Sequence, residues 1–180
     1  MEFRVDDEIT LKLLQPSDAE TVFELVDSNR TYLRQWLPWL DHNTGPEDSR
    51  EFIEEAQKQF EASKGFACGV FFENDLVGMC GYNEICEKSQ SVQIGYWVAE
   101  DHQRKGIISR CSRFLIDHAF EELKSRKVFM FVAEQNTKSR AICERLGFTI
   151  EGTLPDAEDL YGNWVDHVRY AMSADRWHCL

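Results

Sequence analysis

A short basic stretch interrupts an otherwise acidic chain of 180 residues. Four basic residues and no acidic one lie between Arg104 and Arg113, whereas the whole chain contains 20 Lys and Arg against 32 Asp and Glu. Gly106 stands within this stretch, just before a segment with helical periodicity. A glycine turn at a helix start can direct several free backbone N–H groups at one anion, and flanking cations add to the attraction. The stretch therefore favours binding of a phosphate or diphosphate group, although a plain helix cap fits the same pattern.

The charge and composition of the chain restrict its partners. The formal net charge of −12 argues against general nucleic-acid binding, which needs a basic surface, and is compatible with a cationic substrate. Residues 1–61 contain 6 basic and 15 acidic side chains, so the acidity is concentrated near the start. No segment reaches the roughly 18 apolar residues of a membrane span, and the first residues contain no apolar signal core. We therefore expect a cytoplasmic protein without a membrane or a nucleic acid as direct partner.

The cysteine and histidine spacings do not suggest a metal site. None of the 6 cysteines forms a C-x-x-C pair, and no Cys/His spacing matches a zinc site. We expect no metal ion, and we expect the cysteines to be reduced thiols, several of them in the core. The nucleotide-binding signatures G-x-x-x-x-G-K-S/T and G-x-G-x-x-G are absent as well, so the basic stretch is neither of these loops.

The first third of the chain predicts one strand followed by helices. The segment ITLKLL alternates apolar and polar residues as an edge strand does. A helix follows, for which Ser17 and Glu20 form a predicted capping box. The segment TYLRQWLPWLD is broken by Pro38 and predicts a short helix and a turn. The segment GPEDSREFIEEAQKQF then predicts an amphipathic helix whose core face includes Phe52 and Phe60.

The remaining two thirds predict a mixed sheet with two more helices. The segments FACGVFF, LVGMCGYNEI and VQIGYWVA read as a β-meander, and KVFMFVA is apolar on both faces, as in the middle of a sheet. One helix is predicted from Ser109 to about Leu123, and a second is capped by Asn136 and ended by Gly147. The segments FTIEGTL and WVDHVRYAMS predict closing strands. We therefore predict a single α+β domain over residues 1–180.

The basic stretch resembles the acyl-CoA signature of the Gcn5-related N-acetyltransferases, Q/R-x-x-G-x-G/A. Gln103 and Gly106 occupy its first two fixed positions, whereas Ile108 replaces the usual third Gly or Ala. In that family the loop wraps the diphosphate of CoA with backbone N–H groups. The resemblance implies acetyl-CoA as co-substrate and a mixed, mostly antiparallel sheet flanked by helices. It assigns the cofactor to Gln103, Arg104, Lys105, Gly106, Ile107, Ile108 and Ser109.

Two further segments resemble cofactor-binding elements of the same family. The segment YWV resembles the splayed strand whose backbone holds the pantetheine arm and the thioester carbonyl, which implies Trp97 and Val98. The segment NTKSRAICERLGF resembles the Asn-x-x-Ser element, which implies that Asn136 and Ser139 lie beside the cofactor thiol. Together these motifs span residues 92–148.

The resemblance also suggests how the reaction is catalysed. Many relatives have a Tyr four residues before the Gly of Leu-Gly-Phe, and this Tyr protonates the leaving thiolate. Cys143 occupies that position here, so we assign the role to Ser139, one turn earlier; hydrogen bonding at the helix start is its alternative role. Glu134, near the end of the central strand, is the candidate general base, with a solvated surface carboxylate as the other interpretation. Tyr32, Trp36 and Trp39 either line the amine-side cleft or pack the first helices on the sheet.

Nearly the whole chain resembles one subfamily, the acetyltransferases that act on N-terminal Ser or Ala of ribosomal proteins. The segments YLRQWLPWLD, NTKSRAICERLGFTIEGTL and DHVRYAMSADRW carry this likeness. It implies direct transfer of an acetyl group, in a ternary complex, to the N-terminal α-amine of a protein, with a ribosomal protein as the first candidate. It also implies a homo-oligomer, for which a continued sheet or a shared strand near WVDHVRYAM is one arrangement. Two alternatives remain open: an acetyltransferase for polyamines or an aminoglycoside, and a non-enzymatic CoA-binding regulatory domain.

Overall fold

Eight β-strands form one sheet in this computed structural model, which describes residues 1–180. The strands are β1 (Glu2–Arg4), β2 (Ile9–Leu13), β3 (Phe66–Phe72), β4 (Asp75–Cys86), β5 (Ser91–Val98), β6 (Lys127–Ala133), β7 (Thr149–Leu160) and β8 (Asn163–Ser173). They lie in the order β1-β2-β3-β4-β5-β6-β8-β7, and only the β5–β6 pair is parallel. The predicted α+β fold with a mixed, mostly antiparallel sheet is therefore confirmed.

Six helices flank the sheet and divide between its two faces. The helices are α1 (Ala19–Ser28), α2 (Arg30–Leu33), α3 (Pro46–Glu61), α4 (Ile107–Glu121), α5 (Thr137–Arg145) and α6 (Ala174–Trp177). Helices α1, α2 and α3 contribute Val22, Leu33 and Ile53 to the core on one face, whereas α4 contributes Leu115 and Ile116 to the larger core on the other. None of these helices combines the length and the hydropathy needed to cross a membrane.

The sheet splits open between its two parallel strands. Strands β5 and β6 pair only at Ser91–Lys127, Val92–Val128 and Gln93–Phe129. Beyond these pairs β5 stays with β4 and β6 stays with β8, so the two strands diverge toward their carboxyl ends. The connection from β5 to β6 runs through helix α4, as parallel pairing requires. The split leaves a cleft at the level of the GYWV segment of β5.

Helix α1 begins after a short 3₁₀ turn rather than at the predicted capping box of Ser17 and Glu20. Pro16 starts that turn because its fixed φ suits a first helical position. The carboxylate of Asp18 then accepts the backbone N–H of Gln15 at 2.8 Å. The capping hydrogen bond thus forms between a pair two residues earlier than predicted.

Helix α3 buries a narrower stripe than predicted. Ile53 and Ala56 are buried as expected, whereas Phe52 and Phe60 are 46% and 37% exposed. The buried stripe runs through Ser49, Ile53 and Ala56, which are spaced i, i+4 and i+7. Phe52 lies beside this stripe, so its ring faces the cleft side of the sheet instead of the core.

Candidate active site

The glycine of the basic stretch begins helix α4 in a left-handed conformation. Gly106 is the N-cap, with φ 74° and ψ 3°, and Arg104 is also left-handed, with φ 61°. Helix α4 begins at Ile107, two residues before the predicted start, so the partnerless N–H groups of its first turn lie directly after this glycine. They border a cavity of about 530 Å³, which we call the loop cavity. Every residue assigned to CoA from the sequence lines this cavity, except Lys105.

The basic side chains of the stretch have different environments. Arg110 pairs with Asp6 at 2.9 Å and with Glu8 at 2.7 Å, and it therefore ties α4 to the turn before β2. Arg113 lies over the ring of Trp177, with 5.1 Å between the guanidinium carbon and the ring centroid. Of the four basic residues between Arg104 and Arg113, only Arg104 lines the loop cavity. Arg110 and Arg113 instead make contacts within the fold.

Helix α5 supplies two cations that sequence reasoning missed. Lys138 Nζ lies 3.1 Å from Gln103 Oε1, and Arg145 Nη1 lies 3.2 Å from Ser109 Oγ. Both side chains line the loop cavity opposite the glycine turn. Nothing in their local sequence singles them out, because their role depends on α5 packing beside the start of α4. Gln103 Nε2 is buried and has no partner in the protein, so it is a donor available to a ligand.

Ser139 uses its backbone and its side chain for different purposes. Its N–H donates to Asn136 Oδ1 at 3.2 Å, which makes Asn136 the N-cap of α5 as predicted. Its hydroxyl oxygen lies 2.7 Å from the Oη of Tyr96 on β5. The helix-start hydrogen bond therefore does not occupy the hydroxyl group. Sequence reasoning did not single out Tyr96 as a functional residue, since it lies on a different element from Ser139.

Cys143 is a buried packing residue. Its Sγ lies 3.4 Å from the sulfur of Met130, and none of its surface is exposed. Burial raises the pKa of the Cys143 thiol to about 12, so the thiol stays neutral near pH 7. The position where many relatives have a Tyr acid thus contains a protonated core thiol.

A second cavity of about 580 Å³ lies on the other side of the split, and we call it the aromatic cavity. Trp36, Trp39 and Phe52 form its apolar wall. Tyr32, predicted for the same cleft, lines the loop cavity instead, where the ammonium of Lys138 lies 5.3 Å from its ring centroid. The two cavities meet at a set of residues that line both of them: Trp36, Leu37, Tyr96, Trp97, Asn136 and Ser139.

The candidate bases differ in their access to this meeting point. Glu134 is exposed and lines neither cavity. Asp48 lines the aromatic cavity, but its carboxylate accepts the backbone N–H groups of Thr44 and Gly45 at 2.7 and 3.0 Å. Glu158 lines the same cavity, and its carboxylate accepts no hydrogen bond from a backbone N–H group.

Glu158 and His167 form a polar pair on the cavity wall. Glu158 Oε2 lies 3.2 Å from His167 Nε2, but the orientation does not make a hydrogen bond, so His167 Nε2 is buried without a partner. The strand predicted from FTIEGTL ended at Leu154, before Pro155, so the sequence prediction did not include Glu158. The structure instead continues β7 through the segment LPDAEDL with a bulge between Leu154 and Glu158.

The tip of the β7–β8 hairpin is fixed against the segment after α2. Tyr161 donates to the carbonyl of Leu37 at 3.3 Å, and its ring centroid lies 3.6 Å from the guanidinium carbon of Arg34. Arg34 makes two hydrogen bonds to the carboxylate of Asp41, at 2.7 and 2.8 Å. We call these contacts of Tyr161 with Leu37 and Arg34 the clasp. Glu158 stands three residues before Tyr161, so the clasp also fixes the part of the cavity wall on which Glu158 lies.

Comparison with solved structures places this architecture among cofactor-bound acetyltransferases. One structure, titled as the ribosomal L7/L12 alpha-N-protein acetyltransferase RimL in complex with coenzyme A, superposes with a TM-score of 0.93. It is 26% identical in sequence, and the match covers 98% of this chain and 99% of that one. The likeness therefore extends over both cavities and the β7–β8 hairpin.

Sequence comparison agrees over the same length. YdaF of Bacillus subtilis (strain 168) is 34% identical, over 97% of this chain and 96% of its own length. The ribosomal-protein-serine acetyltransferase of Escherichia coli (strain K12) is 28% identical, over 96% of each. A family model described as the acetyltransferase (GNAT) domain matches residues 8–149, which include the glycine turn and the Asn136–Ser139 element. The chain therefore belongs to the GNAT family of N-acetyltransferases, as its motifs predicted.

Proposed function

We propose that this enzyme transfers the acetyl group of acetyl-CoA to the N-terminal α-amine of a protein, with a ribosomal protein as the first candidate. The observation that carries the proposal is the meeting of two cavities in the split between β5 and β6. One cavity has the donors for a diphosphate, and the other has carboxylates and aromatic rings. The acceptor class is supported by the names of relatives that match this chain over nearly its full length.

The loop cavity fits the diphosphate and pantetheine parts of CoA. The first-turn N–H groups of α4 and the left-handed Gly106 would donate to the diphosphate. Arg104, Lys138 and Arg145 add positive charge around it. The edge of β5 that faces the split is free of pairing with β6 beyond Gln93, so its backbone groups are available to the pantetheine amides and the thioester carbonyl.

The meeting point of the cavities fits direct acetyl transfer. A neutral amine in the aromatic cavity would attack the thioester carbonyl, and a base would accept one amine proton, directly or through water. We assign the base to Glu158 rather than to Glu134, because Glu158 lines the cavity that the amine would occupy. The Ser139 hydroxyl would donate a hydrogen bond to the leaving thiolate, which finally takes up one proton. Amide and free thiol are then the products.

The aromatic cavity and the charge of the chain favour a cationic chain end as acceptor. Trp39 and Phe52 are 39% and 46% exposed, so a bound peptide would cover apolar surface that water covers otherwise. Glu158 and the net charge of −12 would attract an ammonium group before it is deprotonated. The same features suit a polyamine or an aminoglycoside, which is the second candidate class. A purely regulatory CoA-binding role is less well supported, because the Ser139 hydroxyl is free of structural hydrogen bonds to the helix.

We further propose a cytoplasmic homo-oligomer. Trp164 is 62% exposed near the tip of the β7–β8 hairpin, and large exposed aromatic rings often mark contacts between proteins. The sequence predicted a continued sheet or a shared strand near WVDHVRYAM, which is β8, but β8 lies inside the sheet between β6 and β7. Strand β7 is the free edge on this side, so it is the strand available for pairing between subunits. A monomeric mass in light scattering at micromolar concentration would contradict this assembly.

The acceptor class is tested with a panel of amines. The protein is mixed with acetyl-CoA and, separately, with a Ser-initiated peptide, an Ala-initiated peptide, spermidine and an aminoglycoside, and thiol release is followed. We expect the peptides to give the highest kcat/KM. A preference for spermidine or the aminoglycoside would assign the enzyme to the small-amine class. Tight CoA binding without thiol release to any of the amines would favour the regulatory domain.

A further inference from the structure

We propose that Tyr96 is a positioning residue that orients the hydroxyl of Ser139, so that the Ser139 proton points at the CoA sulfur. The proposal rests on the proposed function, in which Ser139 is the donor to the leaving thiolate. The geometry behind it is a contact of 2.7 Å between Tyr96 Oη and Ser139 Oγ, at the place where the two cavities meet.

The direction of this hydrogen bond decides what Ser139 can do. The phenol of Tyr96 has one proton, and the oxygens near it are Ser139 Oγ at 2.7 Å and the Ser139 carbonyl at 3.4 Å. The thiol of Cys143 also lies beside the phenol, but a neutral sulfur is a weak acceptor. The shorter contact has the usual length of an O–H···O hydrogen bond, whereas the longer one is too long to compete. When Tyr96 donates to Oγ, the serine proton is left to point elsewhere. The Ser139 hydroxyl has no other protein partner, so the cleft is the remaining direction.

Tyr96 is suited to donate a hydrogen bond while it keeps its proton. Its ring packs against the larger core cluster, and the thiols of Cys143 and Cys80, both buried, are its titratable neighbours. Burial raises the pKa of the Tyr96 phenol well above its ordinary value of 10.0, with a smaller contribution from Cys143. The phenol therefore keeps its proton near pH 7, and it remains a donor throughout the reaction.

The step balances with both hydroxyl protons in place. The carbon–sulfur bond of the thioester breaks and its electron pair goes to sulfur. Ser139 then donates a hydrogen bond to the thiolate while Tyr96 donates to Ser139, and each bond polarises the next. The amine proton goes to Glu158, and water supplies the proton that the thiolate finally takes. Ser139 and Tyr96 carry the same protons before and after transfer.

A double-mutant cycle tests the coupling between the two hydroxyl groups. We compare kcat for the parent, Tyr96→Phe, Ser139→Ala and the double variant, together with the Kd of CoA. Loss of one supporting hydrogen bond is worth about 0.5–1.5 kcal/mol, so Tyr96→Phe should lower kcat roughly 2- to 12-fold and leave the Kd of CoA unchanged. In the Ser139→Ala background, Tyr96→Phe should have no further effect. Tyr82→Phe is the control, because it removes another buried hydroxyl, bonded to the Leu115 carbonyl at 2.6 Å, outside the site.

Two results would overturn the proposal. One is an unchanged kcat in Tyr96→Phe, and the other is an equal loss from Tyr96→Phe with and without Ser139. Thiol release from acetyl-CoA without any acceptor is measured on the same four proteins. If the parent acetylates no amine, the proposed function fails, but the same cycle on this hydrolysis still decides whether Tyr96 acts through Ser139.

Discussion

At the level of single residues, the proposed site consists of polar groups that are not already used in structural hydrogen bonds or core packing. The Ser139 N–H completes the N-cap of α5, and this leaves the hydroxyl to the cleft. Asp48 is engaged by backbone N–H groups, and this leaves Glu158 as the carboxylate of the aromatic cavity. Cys143 is engaged by packing, and this leaves no acid at the position where many relatives have one. The proposed mechanism therefore uses the few polar groups of the cleft that make no structural hydrogen bonds to the backbone.

The first prediction separates Ser139 from Cys143. General-acid assistance is worth about 10²–10⁴-fold, and a hydroxyl hydrogen bond should reach only the lower end of that range. Ser139→Ala should therefore lower kcat by up to about 100-fold, while CoA affinity stays within a few fold. Cys143→Ala should leave kcat nearly unchanged, because the thiol only fills space in the core. Steady-state kinetics on both variants decides the point, and full kcat in Ser139→Ala with loss in Cys143→Ala would reverse the roles.

The second prediction separates the two candidate bases. Glu158→Gln keeps the size of the side chain but removes the basic oxygen, so kcat/KM for the amine should fall by about 100-fold or more. Glu134→Gln is the matched control, and it should leave kcat/KM unchanged because Glu134 lines neither cavity. The CoA affinity of both variants should equal that of the parent. A loss confined to Glu134→Gln would restore the assignment made from the sequence.

At the scale of elements, three junctions position these groups. The left-handed turn at Gly106 fixes the start of α4, and the early end of β5–β6 pairing opens the cleft. The clasp of Tyr161 on Arg34 and Leu37 holds the β7–β8 hairpin, and with it Glu158, across the aromatic cavity. Each of these features depends on different residues, so a substitution can change one without changing the others.

The third prediction concerns the glycine turn. A Cβ at Gly106 would meet no atom within 4 Å, so the effect of Gly106→Val must come from its φ of 74° and not from crowding. A left-handed conformation costs about 1–2 kcal/mol for a residue with a side chain, and the loop would relax by turning its N–H groups away from the diphosphate. We expect CoA binding, measured by calorimetry, to weaken by more than about 1 kcal/mol, which is over roughly fivefold.

Gly162→Val is the control for this prediction. Gly162 has a φ of 84°, and a Cβ there would also meet no atom within 4 Å, but it lies at the hairpin tip away from the loop cavity. It should lower stability to a similar extent and leave CoA affinity unchanged. Equal CoA affinity in Gly106→Val and the parent would remove the glycine turn from the binding site.

The fourth prediction concerns the junction between α4 and the turn before β2. Burial raises the pKa of Asp6, but hydrogen bonds from the N–H groups of Glu8 and Ile9, together with Arg110, outweigh it and hold the pKa below its ordinary value of 3.8. A carboxyl whose pKa is lower in the folded state stabilises the fold above its unfolded pKa. This stabilisation is lost as the pH falls below 3.8 and through the folded pKa.

Asp6→Asn should therefore lower the free energy of unfolding near neutral pH, and the difference from the parent should narrow in acid. Urea denaturation at about pH 7 and about pH 3 measures both values. Asp7→Asn is the control, since the side chain of Asp7 is 95% exposed and should matter little at either pH. A difference between Asp6→Asn and the parent that is the same at both pH values would show that the charge of Asp6 does not matter.

The sequence predicted those helices and strands that have local signals. Periodicity predicted the β-meander and helix α5, because alternation, the Asn136 cap and the left-handed Gly147 are all local signals. It missed β1, a strand of 3 residues, which is too short to show any alternation. It also ended β7 too early, because Pro155 suggests a turn and only pairing with β8 continues the strand.

The residues of the proposed active site could be identified from the sequence only where they are close together in the chain. The glycine turn and the Asn136–Ser139 element were identified from motifs of a few residues. The contact between Tyr96 and Ser139 joins residues 43 positions apart, and no spacing rule connects a strand to a helix over that distance. The base predicted from the sequence is Glu134, whereas our proposal of Glu158 depends on the β7–β8 hairpin, a tertiary feature that brings Glu158 to the cleft.

At the scale of the whole molecule, the chain separates two kinds of charge. Arg104, Lys138 and Arg145 line the loop cavity, where we propose that the anionic cofactor binds, while the chain as a whole has a net charge of −12. A cationic acceptor would be attracted by the overall field, whereas the cofactor depends on a local cluster of donors. The acidic composition and the basic glycine turn are thus compatible within one domain.

We propose that the acceptor is the α-amine of a protein chain, and the position of the transferred acetyl group tests this most directly. A Ser-initiated peptide with one internal Lys is incubated with acetyl-CoA and the enzyme, beside the same peptide with a formylated N-terminus, and the products are sequenced by mass spectrometry. We expect one acetyl group, on the α-amine of the free peptide, and none on the formylated peptide. Acetylation of the Lys side chain in both peptides, at equal rates, would contradict it.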